Sequence, residues 1–465
     1  MATYCILLLV LALIWILSFR ASKYELLAPI SLNGLMFCFA TLLAIVGLSS
    51  WNTVTELSWL VVGIVALGCM AFSIGGVAAD HLNARRVSRR VGERGHRETC
   101  GGSDVAFWKY LVLYALLIVA IVLRVAETYR IAAEGNQDLS NYVTIAKWVR
   151  ANYSGTFSTT GVQIGKGFSL FERGFEKIAI TSGFVCVFLA VQKIRHREKP
   201  DGMISVLFPV IAVFLSCVFI LSTGSRGTVI NFVVEALLIW FILDVRDGKS
   251  PILLARRFLI AGAILFVVST VALFIMGPLV GRPAGMGIVD YISFYLGCGV
   301  PSLQMALDKG LWAGSPLGYH TFYGIYSLLY KIGITSSLTP YAGDFMRLGG
   351  HGSNVYTCFF RYYSDFGLPG VLVLGGLGGF LFTTLYDLAK KSSPIMLVIY
   401  AYIGLYLVDL SREDYLSSRL LSSYGLLSLA LLVVLAMWMT MSWHDFLHIL
   451  GRDRESLECP QHSTE

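Results

Sequence analysis

The side chains in this sequence most able to do chemistry are arginines set in short polar breaks between apolar runs. Arg226 lies in Thr223-Gly224-Ser225-Arg226-Gly227-Thr228, a turn so tight that the guanidinium must sit at the end of two hydrophobic helices. Small and hydroxyl neighbours leave it accessible, and the amino terminus of the next helix adds partial positive charge. A guanidinium presents a planar fork matching two phosphate oxygens, so a diphosphate suits this place. The alternative is an arginine that only anchors the turn. Arg412, in Asp409-Leu410-Ser411-Arg412-Glu413-Asp414-Tyr415, occupies an equivalent break, where a local ion pair with Glu413 is the competing reading. Arg282, in Gly281-Arg282-Pro283, follows another apolar run. Arginines converging on one face would replace the hydration of a diphosphate with fixed donors.

A longer constellation runs Arg347-Leu348-Gly349-Gly350-His351-Gly352-Ser353-Asn354-Val355-Tyr356, then Arg361, Asp365-Phe366-Gly367 and Pro369-Gly370. Glycines around His351 let backbone approach a ligand closely. His351 could act as a base or hold a phosphate oxygen, or be a plain loop histidine. Asp365 could orient an arginine or accept a proton, or cap the apolar helix that follows it. No HExxH, no CxxC pair and no His/Asp cluster with ligand spacing occurs, so the sequence gives no metal site and no cofactor. Of nine cysteines, Cys5, Cys38, Cys69, Cys186 and Cys217 fall in apolar runs, where the thiol behaves as a small hydrophobe. Cys298 and Cys358 lie outside them, and whether they pair is open.

The elements that carry these residues are set by hydropathy. A chain that is 56% hydrophobic and 14% charged, with a mean hydropathy of +0.70, is not a string of soluble domains. Eleven windows are long enough to cross a bilayer, near 2–19, 26–48, 54–79, 107–129, 173–193, 203–222, 227–243, 258–278, 367–388, 394–411 and 420–443. The expected fold is an all-α polytopic integral membrane protein, one transmembrane domain over 1–465.

Basic residues mark the cytoplasmic side. Arg85, Arg86, Arg89, Arg90, Arg94 and Arg97 crowd the loop after the third window, and every second loop after it repeats the bias. More than half of the 36 Lys and Arg residues then fall inside, which explains the +7 charge without nucleic acid. The amino terminus is outside, the carboxyl terminus inside, and the long segments 130–172 and 279–366 face out. Helix-like stretches near 300–309 and 320–331 break the second. Its rings, Tyr291, Phe294, Tyr295, Trp312, Tyr319, Phe322, Tyr323, Tyr326 and Tyr330, read either as an aromatic belt at the lipid surface or as a sugar-stacking surface.

The Thr223-to-Gly227 turn, and still more Gly352-Ser353-Asn354-Val355-Tyr356 followed by Asp365-Phe366-Gly367 and Gly370, resemble the Wzy-type oligosaccharide repeat-unit polymerases, which include O-antigen polymerases. Length, span count and two large outer loops are similar along most of the chain. The resemblance implies a glycosyltransferase-C-like membrane architecture with two large periplasmic loops in a bacterial inner membrane. It implies undecaprenyl-diphosphate-linked glycans as substrates, membrane lipid as surroundings and a separate chain-length regulator as partner. The growing glycan leaves its diphosphate carrier for the non-reducing end of a fresh lipid-linked repeat unit.

The acceptor hydroxyl then needs a base, for which His351, Asp365 and Glu413 are candidates in that order. Arg226, Asn354 and Asp365 carry over on the motifs as site residues, Tyr356 is a further substrate-binding candidate, and Arg282, Arg347, Arg361 and Arg412 join them as diphosphate contacts on topology. An O-antigen ligase shares the donor but not the acceptor. A lipid-linked oligosaccharide flippase would instead favour charges inside spans and short loops.

Overall fold

The computed structural model describes residues 1–51, 56–90, 105–153, 167–195, 202–279, 287–311, 315–335, 346–348, 351–391 and 393–441. Within them the chain is an all-α polytopic membrane protein. Ten helices are long and apolar enough to cross a membrane. They are α1 (Ala2–Ala21), α2 (Pro29–Trp51), α3 (Trp59–Arg90), α4 (Phe107–Glu134), α6 (Leu170–Arg195), α7 (Gly202–Ser222), α8 (Gly227–Arg246), α9 (Pro251–Leu279), α13 (Cys358–Lys391) and α15 (Ser423–Thr440). The eleventh expected window is α14 (Pro394–Asp409), apolar but shorter. Between spans lie α5 (Tyr142–Tyr153), α10 (Ile288–Gly297), α11 (Gly299–Asp308), α12 (Tyr323–Lys331), the antiparallel pair β1 (Met346–Leu348) and β2 (His351–Ser353), and a π-helical turn (Leu416–Leu420).

Continuous apolar sequence makes helices here because a helix satisfies its own backbone where no water can. Each span then divides into a bundle face and a lipid face. On α1, Tyr4, Leu7 and Leu11 are buried, while Leu9, Leu13 and Leu17 on the opposite side are exposed. The most extensive pairing is α3 against α13, and glycines permit it. A Cβ at Gly75 would collide with the carbonyl of Gly376, and one at Gly379 with that of Phe72. Close backbone approach through small residues is how helices associate where lipid is as apolar as leucine.

Connections sort into two sets at the two ends of the bundle. At one end the Ser50 hydroxyl donates to Asp290 at 2.5 Å, the Ser58 N–H to Gln304 at 2.7 Å, and the Tyr142 hydroxyl to the Ser222 carbonyl at 3.3 Å. At the other, Lys390 meets Glu25 at 3.1 Å, Arg195 meets Asp244 at 2.6 Å, and Asn83 donates to Asp387 at 3.0 Å. The first set joins residues of segments expected to face outward, the second residues of segments expected to face inward.

In α13 a helical stretch from Cys358 precedes the expected ninth span, and Gly367 (φ 64°, ψ −158°) is the non-helical kink between the two, at the expected start of 367. That backbone region is open essentially to glycine alone. The eighth span begins at Pro251, ahead of the expected 258. The stretches expected near 300–309 and 320–331 are α11 and α12, whereas α5, α10 and the β1–β2 hairpin had no counterpart in the expectation.

Candidate functional site

A cavity of about 250 Å³ opens at the first end of the bundle. Its floor comes from Phe294 and Tyr295 of α10 and from Cys298, which joins α10 to α11. Its wall is Gly352 and Ser353 of β2 with Asn354 and Val355 beyond, and Arg412 closes it from the turn after α14. The hairpin is positioned by alternation. Met346, Leu348 and Ser353 point inward and are buried, while Arg347 and Gly352, paired in register, face out. The Ser353 hydroxyl, donating to the Cys298 sulfur at 3.4 Å, ties wall to floor. Burial pushes the Cys298 thiol up, so it stays protonated. Cys298 and Cys358 are both buried and both free thiols.

Arg412 is the cation of this cavity. One guanidinium nitrogen bonds Asp409 at 3.1 Å, while its buried Nε has no hydrogen-bond partner among the described residues. A buried donor left without an acceptor costs about 1–3 kcal/mol. Arg226, first residue before α8 and buried, reaches the same place indirectly. Its guanidinium carbon is 5.9 Å from the Tyr291 ring, which packs at 4.5 Å against Tyr295 in the lining. His351 stands edge-on to Phe294 at 5.7 Å. Asn354, His351, Arg226 and Arg412, read from separate parts of the sequence, thus share one region, with Arg347 on the outer face of its hairpin.

The remaining candidates form a different structure. Arg361, buried, bonds Glu413 at 2.6 Å and donates to the His320 carbonyl at 2.8 Å. Asp365 accepts from the backbone N–H groups of His320 (3.3 Å) and Thr321 (2.6 Å), holding a neighbouring turn instead of capping its own helix. Glu413 also accepts from the Asp414 N–H at 3.0 Å. Three segments distant in sequence are joined here: the start of α13, the turn before α12 and the turn after α14. Tyr356 is buried against Phe360 at 5.0 Å. Arg282 lies outside the described residues.

His320, which nothing in its local sequence marks, belongs to this joint. Its Nε2 meets the Ser315 hydroxyl at 2.8 Å, and burial, reinforced by the Arg361 charge, holds its pKa down to about 4. The imidazole is therefore neutral at ordinary pH. Asp414 is shifted the other way, raised by burial despite hydroxyl and backbone donors from Ser417. The outer aromatic rings also divide. Phe294 and Tyr295 line the cavity, whereas Tyr319 and Tyr326 pack on each other at 5.0 Å and Tyr330 is exposed. Among the described residues, no three His, Cys, Asp or Glu side chains gather as metal ligands.

Fold and site together define a multi-pass membrane protein with a cationic, aromatic-floored cavity at one end of its bundle. Compared with protein-family models, curated proteins and solved structures, the chain matches none.

Proposed function

We propose that the protein is a glycosyltransferase that polymerises polyprenyl-diphosphate-linked oligosaccharide repeat units at the outer face of a bacterial inner membrane, with its amino terminus outside. The observation that carries this reading is Arg412, which lines a cavity floored by aromatic rings and walled by the Gly352-to-Val355 segment. Arginine supplies donors for a diphosphate, and rings of the Phe294 and Tyr295 kind supply flat apolar faces for sugars. The cavity sits among the loops that the positive-inside pattern assigns to the outside.

In the proposed reaction a hydroxyl oxygen of the acceptor sugar attacks the anomeric carbon of the donor. The new glycosidic bond forms as the bond from that carbon to the diphosphate oxygen breaks, and the electron pair leaves with the lipid diphosphate. Charge growing on that leaving group is met by Arg412, with Arg226 behind the tyrosine pair, stabilisation realised chiefly in the transition state. Asn354 offers amide donors and an acceptor to sugar hydroxyls. His351 receives the hydroxyl proton. Asp365 and Glu413, occupied by backbone donors and by Arg361, act as positioning residues for the loops around the cavity.

Deleting the gene and resolving the host's lipopolysaccharide by electrophoresis tests the reading. Core carrying a single repeat unit supports a polymerase. Bare core with long lipid-linked chains accumulating would assign a ligase, and bare core without polymer a flippase, and either overturns it.

A further inference from the structure

Glu235, in the middle of α8, is fully buried, and neither carboxyl oxygen has a hydrogen-bond partner among the described residues. It lies nine residues beyond Arg226, about 13 Å below the outer end of the helix at 1.5 Å per residue. Its face of α8 carries partly buried Asn231 one turn above and is otherwise apolar. Phe232, one turn above, packs on Phe184 of α6 at 4.8 Å, and Leu238, one turn below, meets Gly404 of α14. The titratable groups facing it are the Cys186 thiol of α6 and the Tyr402 phenol of α14, with Tyr110 and Tyr114 of α4 beyond Cys186. None of these is a cation. A bare carboxylate costs several kcal/mol in such surroundings, so an ionisable group kept inside a span calls for a function. A proton is the one cation that needs neither a cavity nor several ligands.

A route to that carboxyl is built into α14. Tyr402, Tyr406 and Asp409 are spaced four and three residues apart, which stacks them on one helix face. The Tyr406 hydroxyl donates to that of Tyr402 at 3.4 Å, Asp409 pairs with Arg412 at 3.1 Å, and Arg412 lines the cavity. Tyr402 lies seven residues below Asp409, about 10 Å at the same rise, so it and Glu235 sit at similar depth. Apart from Tyr400, which packs on Tyr386 at 5.4 Å, α14 thus carries its hydrogen-bonding groups as one track from the cavity towards Glu235.

We propose that Glu235 is an intramembrane proton-binding site, filled from the outer cavity along Asp409, Tyr406 and Tyr402. The proposal stands independently of the polymerase reading.

Infrared spectroscopy of the full chain in lipid nanodiscs tests it. The wild type is expected to show a protonated-carboxyl stretch absent from Glu235→Gln, and its shift in heavy water should slow at least tenfold in Tyr406→Phe. Identical wild-type and Glu235→Gln spectra overturn the site, and unchanged exchange in Tyr406→Phe overturns the route. Should Glu235→Gln fail to accumulate, spheroplasts carrying the wild type are treated with dicyclohexylcarbodiimide, which modifies protonated carboxyls in apolar surroundings. Mass spectrometry should find the adduct on Glu235, declining as the external medium is made alkaline. No adduct, or one indifferent to external pH, overturns the proposal.

Discussion

Arg361 and Glu413, fifty-two residues apart, meet at 2.6 Å with side chains only 2% and 4% exposed. The pair joins the first turns of α13 to the connection after α14. Removing one partner of a buried ion pair leaves an uncompensated charge, at a cost of about 3–5 kcal/mol. Arg361→Met should therefore lower the yield of monodisperse protein in detergent, judged by size-exclusion chromatography, and Arg361→Met/Glu413→Leu should recover part of it. Glu413→Gln should reduce the amount of folded protein more than turnover per folded molecule. Normal yield with abolished turnover would return Glu413 to the catalytic candidates.

Arg412 is expected to behave in the opposite way. Its ion pair with Asp409 is partly exposed and local to one turn, so Arg412→Ala should leave membrane abundance near normal while polymer falls roughly a hundredfold, the usual effect of removing one donor from a developing anion. Arg412→Lys should restore little, because an ammonium lacks the fork. Arg226→Ala should weaken polymerisation less, since Arg226 acts from behind Tyr291. Arg257→Ala, exposed at the opposite end, serves as the control. Wild-type polymer from Arg412→Ala would remove the cavity from the mechanism.

His351→Gln should depress turnover of purified enzyme on a lipid-linked repeat unit by about 100-fold or more, the contribution typical of a general base. Its partly buried position and its contact with Phe294 predict little change in yield. Unaltered turnover would leave the acceptor proton without His351 as its recipient.

Acid should loosen the outer joint through His320. With the folded pKa lowered to about 4 from an ordinary 6.5, the unfolded chain binds more protons between those values. Stability from this residue is thus fully present above pH about 6.5, declines as pH falls and is lost below pH about 4, amounting to roughly 3 kcal/mol. Thermal denaturation midpoints of the wild type should fall across that window relative to His320→Gln, and parallel curves would contradict the assignment. Comparing the two chains cancels Asp414, whose raised pKa acts with the opposite sign.

Sidedness can be checked chemically. A cysteine at Leu317, strongly exposed on the cavity side, should react with a membrane-impermeant thiol reagent in intact spheroplasts beyond the parent chain's background. One at Ser250, exposed at the other end, should react only after lysis. The reverse pattern would put the cavity in the cytoplasm, where no lipid-linked polymerisation of this kind is proposed.

Hydropathy alone determined the all-α polytopic fold, because a span is a property of some twenty consecutive residues and the lipid leaves helices as the only open structure that satisfies its own backbone. Loop charge determined which connections share a face, for a similarly local reason. Site chemistry was legible by type: Arg412, Asn354 and His351 stood out as polar groups in apolar sequence, and the tertiary structure brings them to one region. It alone decided that Arg361, Asp365 and Glu413 hold backbone and one another, and that Arg412 keeps a donor unspent. An arginine reads the same in sequence whether its partner is a carboxylate fifty-two residues away or a ligand. Only the packing of α13 and α14 beside the α12 turn settles which acceptor lies within hydrogen-bond reach. Glu235 shows the same division. Its place within the 227–243 window was plain from sequence, but its lack of a hydrogen-bond partner among the described residues depends on what α6 and α14 present to it, which no local pattern encodes.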